Sequence, residues 1–148
     1  MRIVCWNETD YHLRPLQRLV RIACDEIGWD PGRPLRVRIY YSSQGLSERA
    51  DGQLVAMRPY GLMGYAYIQS NHMALGLPNT YLSMRGKRER LDPARIPPER
   101  VAALAWHELG HCHGLRHPEM SREMLRALFE PERFVEKAAG ISLTRKLK

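Results

Sequence analysis

Apolar residues recur along this chain at two different spacings. Leu13, Leu16, Val20, Ala23 and Ile27 lie three to four residues apart, the period of a helix that buries one face. Pro15 suits such a helix only in its first turn, so the helix begins near His12, and Gly28 is a suitable stop. Residues 2–6 precede it as a strand, and Val37–Tyr41 alternate as another after the turn at 30–34. Residues 53–57, 64–69, 72–77 and 81–84 read as further strands, parted by Ser70-Asn71 and Pro78-Asn79. A second long helix opens at Pro97-Pro98-Glu99, runs to about His113 and stops at Gly114. A shorter amphipathic helix is expected within 121–139, with Leu125, Leu128, Phe129 and Val135 on its apolar side.

This order predicts an α+β fold: a small mixed twisted sheet, two long helices and a minimal C-terminal helical subdomain. No repeat, low-complexity tract or linker interrupts it, so 1–148 reads as one domain. Its 148 residues are a usual single-domain size, and 44% hydrophobic with 26% charged residues excludes a disordered chain. Three cysteines cannot pair completely, and no apolar leader follows Met1, so a reducing, cytoplasmic setting is expected.

The net charge of +7 adds little direction. Its excess lies in 85–100 and 121–148, and no basic stripe with interleaved aromatics is visible, so nucleic acid is a possible but unfavoured partner. Arg85–Arg90 reads as a solvated loop. Residues 61–84 carry no charge, but Gln69, Asn71, His72 and Asn79 interrupt them; they suit buried strands and not a membrane span.

The chemistry concentrates in His107-Glu108-Leu109-Gly110-His111-Cys112-His113-Gly114-Leu115-Arg116-His117. On a helix His107 and His111 stand about 40° apart around the axis, so both imidazoles reach one ion. Glu108, about 60° from His111, borders that ion without ligating it, which suits a base acting on metal-bound water. In a continuing helix His117 would be out of reach; Gly114 can take positive φ, end the helix and return His117 as third ligand. Three imidazoles and one open position describe a catalytic zinc site, since structural zinc closes all four. The glycine and third histidine make the pattern about 400-fold rarer by chance than the bare His-Glu-x-x-His, so a mere buried helix is the weaker reading.

His-Glu-x-x-His-x-x-Gly-x-x-His resembles the zinc signature of the metzincin metalloproteases. The resemblance implies a metzincin-like fold with an upper subdomain (1–117) ending in the zinc helix and a minimal lower one (118–148). It implies one Zn2+ on His107, His111 and His117, Glu108 as general base, and a peptide or protein substrate. A methionine in a tight turn beneath the metal is also implied; Met124 is the better candidate and Met120 the second. The chain departs from the family in its short lower part, in having no tyrosine after Tyr81, and in showing no recognisable inhibitory propeptide.

The remaining candidates read more plainly. His113 faces about 130° away from His107, Cys112 belongs to the core, and His12 and His72 are structural. A substrate chain is expected beside an edge strand within 64–77, and no second oxyanion stabiliser can be assigned. Two other functions compete with the zinc endopeptidase. One is a metal-dependent endoribonuclease, because a small bacterial family has three histidines at this spacing but no glutamate after the first. The other is a non-catalytic zinc-binding module, which has no use for Glu108.

Overall fold

The computed structural model describes residues 2–56 and 58–147. Strand β1 (Ile3–Asn7) leads into helix α1 (Leu13–Ile27), which starts after His12 and ends at Gly28 with φ 72°. Leu16, Leu19, Val20, Ala23 and Cys24 form its buried stripe, as the periodicity predicts. Strand β2 (Leu35–Tyr41) buries Leu35, Val37 and Ile39 and turns Arg36 and Arg38 outward.

The main sheet runs β1-β2-β6-β5, with β6 at His72–Leu77 and β5 at Met63–Ala66. The first three strands are parallel, and β5 joins β6 antiparallel as an edge. Helix α2 (Pro98–Cys112) packs against α1 and against β5 and β6. Nearly all of α2 is buried, from Val101 through Trp106 and again at Glu108–Gly110 and Cys112. The mixed α+β class and the two long helices are therefore as expected.

A second small sheet, ordered β4-β3-β7-β8, takes β3 (Ser47–Glu48), β4 (Leu54–Val55), β7 (Thr80–Leu82) and β8 (Arg88–Arg90). Here the structure corrects two expectations. Arg88–Arg90 is not loop but pairs with Thr80–Leu82 across a turn in which Gly86 takes φ 77°. The strand expected over 53–57 shortens to Leu54–Val55, and Met57 lies outside the described residues.

The expected helix within 121–139 is two single turns, α3 (Arg122–Leu125) and α4 (Glu132–Val135). Pro131, which has no N–H to continue the ladder, stands between them. Met120, Met124, Ala127, Phe134, Ala138, Ile141 and Leu143 nevertheless join the main core, with Phe134 edge-on to Trp106 at 5.5 Å. The chain end returns to its beginning: Tyr11 bridges Arg145, and Arg145 bonds Asp10, Asn79 and the Leu91 carbonyl. No helix among the described residues is long and apolar enough to cross a membrane.

Candidate metal centre

The last turns of α2 carry His107, Glu108 and His111, and the helix then ends in a reversal. The Gly114 N–H donates to the His111 carbonyl at 2.9 Å and the Leu115 N–H to the Gly110 carbonyl at 3.0 Å. Gly114 takes φ 93° between them, the left-handed residue this paired-bond ending requires. A Cβ there would also stand 2.9 Å from Gln69 Cγ, and the Gln69 N–H donates to the His111 carbonyl at 3.1 Å. The bend is thus closed by its own backbone and buttressed by the turn between β5 and β6.

Beyond it His117 opens a one-turn 3-10 segment and comes back over the helix. Its ring centroid lies 5.3 Å from that of His107 and 5.0 Å from that of His111, which are themselves 5.0 Å apart. One ring nitrogen from each histidine falls within 4.8 Å of the others, so the group can hold a metal ion.

Hydrogen bonding decides which nitrogens face that position. His107 Nδ1 is 2.8 Å from the Met124 carbonyl, and His111 Nδ1 is 2.7 Å from the Leu115 carbonyl. A carbonyl only accepts, so both Nδ1 atoms carry hydrogen, and Nε2 is the nitrogen each ring can turn to a metal. Burial holds the His107 ring below its usual pKa against the pull of the Met124 carbonyl, which keeps it neutral. Three imidazoles without thiolate or carboxylate suit borderline divalent ions such as zinc.

Glu108 is 4% exposed and stands outside the histidine group. Its Oε2 has no hydrogen-bond partner among the described residues. Burial pushes its carboxyl up to about 7, opposed by the Arg58 guanidinium. Gly64 of β5 makes room for it, since a Cβ on Gly64 would meet Glu108 Cγ at 3.2 Å and the Ala74 carbonyl oxygen at 2.8 Å.

These groups share a cleft of about 490 Å³. Helix α2 bounds it on one side, the free edge strand β5 on another, and Leu125, Leu128 and Phe129 on a third. The four motif residues and the edge strand expected within 64–77 therefore meet in one place. Both methionines pack against Gly110 of α2, where a Cβ would stand 2.6 Å from Met124 Sδ and 3.2 Å from Met120 Cε. His113 is exposed and stacks on Trp29 at 5.2 Å, and Cys112 is buried, both as expected.

Sequence reasoning missed Arg58, the cation lining the cleft, and the apolar wall from Leu125 and Phe129. No spacing rule connects these positions to the histidines; only the fold does. Comparison with protein-family models, curated proteins and solved structures gave no match to this chain.

Proposed function

We propose that this chain is a zinc-dependent endopeptidase of metzincin type. One observation carries the reading: a buried carboxylate with an unpartnered oxygen lines the same cleft as three clustered imidazoles, two of which, His107 and His111, have Nδ1 turned to a backbone carbonyl. When bound at His107, His111 and His117, zinc supplies the Lewis acidity that makes water a nucleophile near neutral pH.

The chain's own groups account for the rest. Glu108 Oε2 accepts a proton from water in the cleft and returns it to the leaving amine nitrogen. Arg58 places positive charge at the cleft, where the scissile carbonyl oxygen becomes negative. The free edge of β5 offers backbone groups to an extended peptide, which gives affinity with little sequence choice. Leu104, Leu125 and Phe129 receive an apolar side chain of that peptide. Met124, beneath Gly110 and bonded through its carbonyl to His107, takes the place of the family's turn methionine. The 1–117 and 118–148 parts correspond to the family's upper and lower subdomains.

Elemental analysis together with cleavage of a peptide library tests the assignment. The expected result is one zinc per chain, with turnover falling about 10²–10⁴-fold in Glu108→Gln while zinc stays bound. Unchanged peptide cleavage by that variant overturns the reading. So does metal-dependent RNA degradation that survives it, which selects the endoribonuclease; zinc binding with no hydrolysis selects the non-catalytic module. Arg58→Met is expected to lower kcat at least tenfold with KM nearly unchanged, because its charge acts on the transition state.

A further inference from the structure

The main sheet has a second face, opposite the helices, which the proposed peptidase leaves unused except for Tyr65 at the rim shared with the cleft. We infer that this open face binds single-stranded nucleic acid, with bases stacked on its rings and phosphates held by its arginines. The inference stands whether or not the cleft cuts peptides.

Strand register assembles the surface from positions far apart in sequence. One row across the sheet reads Val4, Arg36, His72; the next reads Trp6, Arg38, Ala74, Tyr65. Tyr67 continues the first row, its N–H donating to the His72 carbonyl at 3.2 Å. The absence of a basic stripe with interleaved aromatics holds along the chain but fails in three dimensions.

The rings are presented for stacking. Trp6 is 73% exposed and Tyr67 60%, whereas Trp29 and Trp106 are buried. Tyr40, Tyr65, Tyr67 and His72 follow one another at centroid spacings of 6.0, 6.2 and 6.1 Å. Arg38 is held among them by Glu8 and by the Tyr65 hydroxyl at 2.9 Å, with its guanidinium 4.7 Å from the Tyr40 ring. Such prepositioned rings lose little freedom when a base settles on them.

Charge complementarity selects the occupant. Glu8 is committed to Arg38, and among the described residues no carboxylate lies within ion-pair distance of Arg2 or Arg36. The surface is therefore positive, and its exposed apolar side chains are the rings Trp6, Tyr65 and Tyr67 together with Val4 and Pro34. An unpaired strand offers phosphates to these arginines and flat bases to these rings. Trp6 and Tyr65 are three strand spacings apart, roughly 14 Å, which suits two or three stacked nucleotides. The depression between them measures about 530 Å³, and bases stacked within a duplex cannot lie flat on exposed rings.

Fluorescence anisotropy with labelled ten-nucleotide RNA and DNA single strands, and with the matching duplex, tests the inference on the full zinc-loaded chain. Oligonucleotide integrity is checked on a gel. Single strands are expected to bind, to quench Trp6 emission, and to bind more weakly as salt rises, by about 0.7 in log–log slope per phosphate held. Trp6→Ala and Tyr67→Ala should each weaken binding about 5- to 100-fold, and Arg36→Glu should weaken it for every sequence, with zinc content unchanged. The RNA and DNA arms decide which sugar is preferred. Binding that ignores all three substitutions overturns the inference, since it then belongs to the basic tail; so does duplex binding as tight as single-strand binding. A Trp6 signal that follows protein concentration and not oligonucleotide also overturns it and identifies a second copy as the occupant.

Discussion

Replacing Gly114 by alanine sets a Cβ 2.9 Å from Gln69 Cγ on a residue held at φ 93°. The left-handed backbone alone costs an L-residue about 1–2 kcal/mol, and relaxing it moves His117 away from its two partners. Gly114→Ala should therefore lower the urea midpoint of the metal-free chain and weaken zinc binding about 10- to 100-fold, as competition with a chelating dye would show. Unaltered zinc affinity would mean that His117 reaches the ion by another route. The motif residues were legible because helical geometry converts their spacing directly into angles. Arg58 was not, because its approach to Glu108 depends on a loop between two short strands.

At the scale of elements, β5 and α2 meet through a missing side chain. Gly64→Ala would press a methyl group against the Ala74 carbonyl oxygen at 2.8 Å, and a backbone atom cannot step aside as a flexible side chain can. We expect about 1–3 kcal/mol of destabilisation in thermal unfolding, and activity lost with it because Glu108 Cγ is the next atom in the way. The long helices were visible beforehand through periodicity and end signals: α1 by its apolar stripe and Gly28, α2 by Pro97-Pro98 and Gly114. The hairpin ending in β8 was hidden because Arg88, Glu89 and Arg90 are all exposed, so no alternation marks them. Within 121–139 the apolar spacing mimicked one helix, but Pro131 divides it and tertiary packing supplies what local periodicity does not.

For the whole molecule, ion pairs add to the buried side chains and backbone bonds that fasten the C-terminal segment to the N-terminal one. Glu26 on α1 meets Arg133 and Lys137, and Asp10 meets Arg145 and Arg90. Hydrogen bonds from Lys137 and Arg133 hold the Glu26 carboxyl below its ordinary pKa. Burial works to raise Asp10, but the Tyr41 hydroxyl and the Arg145 and Arg90 guanidiniums outweigh it and hold it low as well. Both carboxyls bind protons more readily when unfolded, so acid favours the unfolded chain. Their contribution is complete above about pH 4.5 and fades as pH falls through the lowered folded values. Urea midpoints should drop more steeply between pH 5 and 3 in the wild type than in Glu26→Gln, and hydrogen exchange should show 118–147 opening first. Equal slopes for the two proteins would dismiss the charged tether.

The anchors behind His107 and His111 are peptide carbonyls, which bear no formal charge. A dication seated here keeps its full electrical strength, where a carboxylate anchor would cancel part of it. Loaded with zinc, the centre should therefore bind hydroxamate-bearing ligands more tightly than neutral ones of equal size, as calorimetry would show.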